Sequence, residues 1–239
     1  MSYDWKEFTA QSDRRYSDAR QTGNVGELAA HNILSSGDVE LRFIADVVRS
    51  HGHRDLPKGL ALDVCCGSGY MSSCLAGQGY RVKAFDMNAD AVQLAGRSYP
   101  DIDFRVDDAA SPSSAITAER YDLILIREAH PFSRVCDDEF QRSLLRDYIA
   151  LLKPNGVLAI GHARRGGGMS YPSISYAAMK NAISDAGAFV YGPYFMFGYK
   201  HLKLASASKF IISVSSLASN VASRVMGSRW IEYVVIHRK

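Results

Sequence analysis

The chain has 239 residues, of which 47% are hydrophobic and 22% charged, and this fits one folded α/β domain with additions. The net charge of +3 is small and argues against a dedicated binder of nucleic-acid backbones, which would show a basic stripe. The polar N-terminus lacks the apolar core of a secretory signal, and no run reaches the roughly 18 apolar residues of a spanning helix. The four cysteines contain no Cys-x-x-Cys pair, so a reduced, cytoplasmic protein is expected.

The first 55 residues are predicted to be helical and to lie outside the main domain. Apolar residues recur with helical spacing over Val39–Arg49, which predicts a helix covering one face of a sheet. Trp5–His31 is predicted instead to form a lid over a ligand cleft. Residues 1–55 are therefore interpreted as an N-terminal helical lid and cover.

Short apolar runs alternate with helix-compatible segments after that region. The predicted strands are Ala61–Val64, Arg81–Phe85, Ile102–Val106, Leu123–Ile126, Val157–Gly161 and Phe189–Tyr191. The predicted helices are Tyr70–Gln78, Ala89–Arg97, Asp138–Leu152 and Ser175–Ala186. This alternation predicts a parallel sheet with helices on both faces.

The most informative stretch is Leu60–Gly69, with the sequence LALDVCCGSG. Its apolar run carries Asp63, breaks into Gly67-Ser68-Gly69 and precedes helix-compatible sequence, which predicts a strand, a tight turn and a helix. A glycine turn can approach a ligand closely, and the helix start offers N–H groups. The dinucleotide fingerprint G-x-G-x-x-G fits poorly, because Cys66 and Tyr70 break the glycine spacing. Asp63 suits a ligand with a cation near the turn, and a turn without a ligand is the alternative.

The stretch ALDVCCGSG resembles the first motif of class I S-adenosylmethionine-dependent methyltransferases, written hydrophobic-Asp-hydrophobic-Gly-Cys-Gly-x-Gly. Cys65 stands where the family has its first glycine, and its small side chain should still allow close approach. The Leu-Lys-Pro-x-Gly turn within residues 151–156 is a second mark of the family. The resemblance covers about Leu60–Gly161 and the last strand. It implies S-adenosylmethionine as the cofactor and S-adenosylhomocysteine as its product.

The fold implied by this resemblance is α/β, a Rossmann-like doubly wound sheet of seven strands, mostly parallel with an antiparallel last strand. Residues 56–192 would form the core, and residues 230–239, with the apolar run Trp230–Ile236, would form its final strand. In the family the sixth and seventh strands form a hairpin. Residues 193–229 far exceed the roughly two to five residues of a usual hairpin loop, so a helical cap insertion is predicted there.

Open parallel sheets bind ligands beyond the carboxyl ends of their strands. The resemblance therefore assigns the turn after the first strand to the amino-acid end of the cofactor. The residues assigned to this end are Asp63, Cys65, Gly67 and Gly69. Asp86 follows the second strand, 17 positions after Gly69, and would accept hydrogen bonds from the ribose hydroxyls. Its alternative role is a helix N-cap, for which Asn88 and Asp90 compete.

The remaining cofactor residues follow the second, third and fourth strands. Met87 would pack on the adenine face, with a plain core position as its alternative. Asp108-Ala109 best matches the family's Asp-Ala contact to adenine, whereas Asp107 is equally well explained as a turn acid. Arg127 ends the fourth strand and is assigned to the cofactor, because this segment should pass beside the sulfonium.

The acceptor side is predicted from the ends of the fourth and fifth strands. Glu128 and His130 form a candidate acid–base pair, because histidine titrates near neutral pH and can remove a proton from a hydroxyl or amine. His162 could face the substrate. The alternative is that these residues only shape loops, since alignment in a dry pocket can supply much of the rate. The Asn/Asp-Pro-Pro-Tyr/Phe box of nucleic-acid N-methyltransferases is absent, and no ligand spacing predicts a metal.

The predicted function is transfer of a methyl group from S-adenosylmethionine to an O or N atom of a small molecule. That acceptor would be aromatic, heterocyclic or glycosylated, as in secondary-metabolite biosynthesis. The alternatives are an RNA or protein methyltransferase and a non-catalytic S-adenosylmethionine-binding protein. A nicotinamide oxidoreductase would share the sheet, but the turn argues against it. The expected partner is the small-molecule acceptor and not a nucleic acid, and a homodimer is left open.

Overall fold

The computed structural model describes residues 37–133, 137–164, 187–195 and 230–238, and the single helical positions 14, 17, 18, 21, 180, 183, 210, 212, 214 and 217. The helices of the described ranges are α1 (Gly37–Ser50), α2 (Tyr70–Gly77), α3 (Ala89–Ser98), α4 (Ser114–Thr117), α5 (His130–Ser133) and α6 (Asp138–Ala150). The strands are β1 (Leu60–Val64), β2 (Arg81–Asp86), β3 (Asp103–Val106), β4 (Tyr121–Arg127), β5 (Leu152–Arg164), β6 (Ala188–Phe195) and β7 (Trp230–Arg238). No helix in these ranges is long and apolar enough to cross a membrane.

The strands form one seven-stranded sheet in the order β3-β2-β1-β4-β5-β7-β6. Neighbours among the first five strands are parallel, whereas β7 lies antiparallel between β5 and β6. The first strand therefore lies inside the sheet, β2 and β3 extend it to one edge, and β4 to β7 extend it to the opposite edge. The predicted fold class, a mostly parallel doubly wound sheet with an antiparallel last strand, is confirmed.

Side chains of the central strands alternate between two hydrophobic clusters, one on each face of the sheet. Leu62 of β1 and Ile124 of β4 face a cluster completed by α6, while Ala61 and Leu123 face the opposite cluster. The helix predicted over Val39–Arg49 is present as α1. Its buried apolar residues belong to the second cluster, namely Leu41, Phe43, Ile44, Val47 and Val48. Apolar packing thus holds α1 against the same face as α2.

Several predicted boundaries are wrong because strand pairing overrides local sequence. The strand predicted over Val157–Gly161 spans Leu152–Arg164, since its ends pair with Tyr121 of β4 and Trp230 of β7. The helix predicted over Asp138–Leu152 ends at Ala150, since Leu152 pairs with Tyr121 and begins β5. The strand predicted over Phe189–Tyr191 extends to Phe195, because residues 194 and 195 pair with β7 after an irregularity. The first three residues of the predicted cap, 193–195, therefore lie in the sheet. The lid, the helix over Ser175–Ala186 and the rest of the cap lie outside the described residues, apart from the single helical positions.

Candidate active site

The turn after β1 has three residues in the left-handed backbone region. They are Cys65 with a φ of 59°, Gly67 with 52° and Gly69 with 82°. The turn is held by the N–H of Cys66, which donates to the carbonyl of Phe85 at 3.0 Å. A left-handed φ is uncommon for residues other than glycine, and this explains why the resembling family has glycine where this chain has Cys65. Cys65 thus adopts the backbone conformation that favours glycine.

Gly69 is explained by packing. A Cβ at this position would lie 2.7 Å from Cζ of Phe104 and 3.0 Å from Cβ of Ala95. The absent side chain therefore lets the turn approach β3 and α3. The predicted role of Gly69 beside a ligand is separate from this packing role and stays a prediction.

Asp63 is an acid buried within β1, with 1% of its surface exposed. The hydroxyl of Ser72, in the first turn of α2, donates to its Oδ2 at 2.6 Å. Burial raises the pKa of Asp63 to about 7, and the charge of Asp86 acts in the same direction, whereas the Ser72 hydrogen bond and the charge of Arg127 lower it. Sequence reasoning missed Ser72. A hydroxyl at the start of the helix after the turn was the available signal.

Arg127 forms an ion pair with Glu40 of α1, and Nε lies 3.1 Å from Oε2. Glu40 is fully buried, with 0% of its side chain exposed, and 14% of the Arg127 side chain is exposed. Sequence reasoning predicted Arg127 for this region but missed its partner Glu40. Glu40 occupies a position of the buried stripe of α1, three and four residues before Phe43 and Ile44, and an acid in such a position is a usable signal.

Asp86 connects the end of β2 to the turn after β1. Its Oδ2 accepts from the N–H of Gly67 at 2.9 Å, and its Oδ1 accepts from the N–H of Asn88 at 2.9 Å. Asn88 is the N-cap of α3, because its side chain accepts from the N–H of Ala91. The alternative interpretation of Asp86 as the helix cap is therefore wrong. Its carboxylate is instead oriented by two backbone N–H groups.

Met87, directly after Asp86, is 53% exposed, so the alternative of a plain core position is wrong. The side chain therefore lies at the surface beside Asp86, and its packing on the adenine face stays a prediction.

The two acids after β3 have different surroundings. Asp107 organises the loop, accepting from the N–H of Asp108 at 2.9 Å and from that of Ser113 at 3.1 Å. Asp108 is exposed, and its Oδ1 accepts from the N–H of Ala110 at 2.8 Å. Ala109 is buried, and its carbonyl accepts from the hydroxyl of Tyr148 at 2.9 Å. Asp107 is thus the turn acid, and Asp108 is the one directed to solvent.

Glu128 has a φ of 56°, and its N–H donates to the carbonyl of Gly161 at 2.8 Å. A non-glycine residue held in this region stores backbone strain, which is often found at functional sites. His130 begins α5 and is partly buried. His162 follows Gly161 in β5 and pairs with Glu232 of β7, but its side chain lies outside the described residues. The backbone of residue 162 therefore lies beside the Glu128 segment.

Two other kinds of chemistry find no support at this site. Burial raises the pKa of the Cys66 thiol, and the nearby Asp63 and Asp86 add to the effect, so this cysteine is not activated as a thiolate. In the part of the chain that the structure describes, no group of three or more His, Cys, Asp or Glu residues is arranged to hold a metal ion.

Residues 61–156 match the family model described as a methyltransferase domain. The match contains the turn after β1, the strand-end acids Asp86 and Asp108, and Arg127. Residues 61–156 are thus similar to a methyltransferase domain, and the order of the strands agrees with the fold that the resemblance implies. The resemblance stated from the first motif is confirmed.

Relatives with a described activity match part of the chain. The ubiquinone biosynthesis O-methyltransferase of Actinobacillus pleuropneumoniae serotype 5b is 33% identical over 104 residues, 41% of this chain and 42% of that protein. A protein of the same description from Rickettsia felis is 25% identical over 128 residues, 53% of this chain and 50% of the relative. The chain thus spans about half the length of the curated relatives it matches.

Solved structures match nearly the whole chain at low identity. The plantazolicin methyltransferase BamL, in complex with a triazolic desmethylPZN analogue and SAH, superimposes with a TM-score of 0.58 and 15% identity, covering 96% of this chain and 91% of that one. Magnesium protoporphyrin IX methyltransferase from Synechocystis PCC 6803, with bound SAM, gives 0.53 and 14%, covering 94% and 97%. At these identities the likeness shows the fold.

Proposed function

We propose that this chain is an S-adenosylmethionine-dependent methyltransferase acting on an O or N atom of a small-molecule acceptor. The proposal is carried by the turn after β1, where buried Asp63 and the Asp86 carboxylate meet at the carboxyl edge of the parallel strands. When bound, S-adenosylmethionine would supply a methyl group on a sulfonium, so that the acceptor's lone pair bonds to the methyl carbon in line while the carbon–sulfur bond breaks and S-adenosylhomocysteine leaves.

The residues around Asp63 fit the amino-acid end of that molecule. An ammonium group near Asp63 would favour its ionised form, which burial disfavours in the free protein. Arg127 carries a guanidinium on the same side of the site and would take the ligand carboxylate. The left-handed backbone at Cys65 and Gly67 would allow close approach of the ligand to the turn.

The strand-end residues fit the nucleoside. Asp86 is oriented by two backbone N–H groups, and a carboxylate has about four acceptor sites, so it would accept from the ribose hydroxyls in this orientation. Exposed Met87 would cover one face of the adenine. Exposed Asp108 would accept from the adenine amino group, while Ala109, fixed by Tyr148, would place its backbone N–H near the ring.

The acceptor would lie at the ends of β4 and β5. The strained backbone at Glu128 directs the chain from β4 toward α5, and we assign Glu128 and His130 to positioning the acceptor and removing its proton. His162 is assigned to the same side. The relatives described as ubiquinone biosynthesis O-methyltransferases support an oxygen on an aromatic small molecule as the first acceptor class to test.

Calorimetric titration with S-adenosylhomocysteine tests the cofactor assignment. We expect saturable binding to the wild type, no heat with NADH, and at least a tenfold loss of affinity in Asp86→Ala, because the carboxylate serves both the ribose and the turn. Asp103→Ala is the matched control, since it removes an exposed acid of the neighbouring strand that pairs with Arg105. Unchanged binding in Asp86→Ala would refute the assignment.

Transfer of labelled methyl groups to a panel of phenolic, heterocyclic and glycosylated small molecules tests the acceptor assignment. Glu128→Gln and His130→Asn should lower turnover while leaving the affinity for S-adenosylhomocysteine within about threefold. Cofactor binding without transfer to any small molecule would favour a non-catalytic binder, and transfer to RNA or protein would replace the proposed acceptor class.

A further inference from the structure

A charged residue outside the methyltransferase motif reaches into the proposed site from α1. Glu40 is fully buried, yet its partner Arg127 lies at the end of β4, 87 positions further along the chain. Burying a carboxylate costs several kcal/mol unless it is paired, so a pair of this kind places strong demands on the local geometry. The ion pair forms only if α1 packs so that Glu40 reaches the end of β4.

The first turn of α1 is fixed on α2, the helix that follows the cofactor turn. The N–H of Gly37 donates to the hydroxyl of Tyr70 at 3.1 Å. A Cβ at Gly37 would lie 2.5 Å from Sγ of Cys74, so the two helices meet without room for a side chain. These contacts hold the first turn of α1, which carries Glu40, against α2.

Four charged groups then share one end of the site. Arg127 contacts Glu40 and follows the β4 residues that pair with the end of β1, so its charge acts on Asp63. Asp86 acts on Asp63 from the neighbouring strand, and the thiol of Cys66 lies close to both acids. Because Glu40 neutralises part of the Arg127 charge, it weakens the effect of that charge on Asp63.

We propose that Glu40 is a positioning residue that aims Arg127 at the amino-acid end of the S-adenosylmethionine site, so that α1 sets cofactor affinity from outside the motif. This inference rests on the proposed function. It predicts that the loss of Glu40 and the loss of Arg127 shift the ionisation of Asp63 in opposite directions. Loss of the Glu40 charge leaves Arg127 acting more strongly on Asp63, whereas loss of the Arg127 charge leaves Asp63 among negative groups.

The test is calorimetry of S-adenosylhomocysteine binding between pH 5.5 and 8.5 for Glu40→Gln, Arg127→Gln and the wild type. Both variants should lose about fivefold to tenfold in affinity at pH 8.5, because the guanidinium is misplaced or absent. The midpoint of the pH dependence should move down in Glu40→Gln and up in Arg127→Gln. A role limited to stabilising the fold would not move the two midpoints in opposite directions.

Asp46→Asn is the matched control. Asp46 is a buried acid of the same helix, six positions after Glu40, and it pairs with Arg49, so its replacement tests a general perturbation of α1. We expect its affinity to stay within twofold of the wild type and its midpoint to stay in place. If Glu40→Gln does not fold, Glu40→Asp replaces it. That variant keeps the charge but withdraws it by one methylene, so its affinity should fall while its midpoint stays.

The outcomes separate the two proposals. A wild-type protein that does not bind S-adenosylhomocysteine overturns the proposed function. A wild-type protein that binds, with Glu40→Gln behaving like Asp46→Asn or with its midpoint moving up, overturns only the positioning role of Glu40.

Discussion

Replacement of Asp63 by Asn should stabilise the free protein while weakening its cofactor site. The amide has nearly the same shape as the carboxyl group, and its oxygen can accept the hydrogen bond from Ser72. The variant therefore removes the buried charge and adds an NH2 group with two donors, so the pH dependence of the stability difference isolates the effect of the charge. Stability gained by removing a functional residue is an expected trade-off at binding sites.

The magnitude follows from the pKa of Asp63, which rises from 3.8 to about 7 on folding. Each pKa unit corresponds to about 1.4 kcal/mol, so ionising this group in the folded protein costs about 4 kcal/mol relative to the unfolded chain. Because the folded-state pKa is the higher one, the stabilising effect of neutral Asp63 is complete below pH 3.8 and is lost as the pH rises through 7. The charge costs the free protein most above neutral pH.

Urea unfolding of the ligand-free wild type and Asp63→Asn between pH 5 and pH 8.5 measures this effect. The free energy of unfolding of the variant should exceed that of the wild type by an amount that grows by about 2–3 kcal/mol from pH 5 to pH 8 and then levels off. Affinity for S-adenosylhomocysteine at pH 8 should fall at least tenfold. A difference in stability that does not change with pH, or a variant that is less stable at pH 8, would refute the reasoning.

Three further substitutions test other parts of the structure. Cys65→Val should lower the free energy of unfolding by about 1–2 kcal/mol, because the left-handed backbone disfavours a branched side chain, whereas Cys65→Gly should keep the affinity for S-adenosylhomocysteine within about threefold. If both variants changed stability and affinity to the same extent, in thermal unfolding and calorimetry, this reasoning would be wrong. Gly69→Ala should lower stability by about 1–3 kcal/mol, because its Cβ would lie 2.7 Å from Phe104, and an unchanged unfolding midpoint would show that the turn can yield. Burial lowers the pKa of His237 from 6.5, and the stacked His53 contributes, so stability is present above pH 6.5 and is lost as the pH falls below it. His237→Phe should flatten this acid loss in urea titrations, and an unchanged slope between pH 6.5 and pH 5 would count against the assignment.

The central strands could be predicted from the sequence because their signal is local. The runs at β1 and β4 are mostly apolar, as expected for strands buried on both faces, and Asp63 and Asp122 are the acids within them. The end of α6 and the length of β6 could not be predicted. Leu152 and Phe195 are in strands because Tyr121 and Glu232 lie opposite them, and such pairing is invisible to local propensity.

Some residues of the candidate site could also be predicted from the sequence, whereas others depend on tertiary packing. Asp63, Asp86 and Asp108 lie at strand ends, where the chain order and the parallel sheet dictate their positions. Gly69 was predicted for the right turn, but the structure adds a packing reason that requires knowledge of Phe104. The pair of Glu40 and Arg127 depends on how α1 docks, so the sequence offered only the anomaly of an acid in an apolar stripe.

The position of Glu40 bears on where the site ends. The family model matches residues 61–156, which contain Arg127 and Asp63 but not α1. A domain reduced to the matched residues would keep the turn and the strand-end acids, yet Arg127 would lose the carboxylate 3.1 Å from its Nε. Its full charge would then act on Asp63, and its direction would be set by solvent instead of by a buried partner. On this proposal the cofactor site is built from the motif together with the helix that precedes it, so that α1 would serve the site as well as cover the sheet.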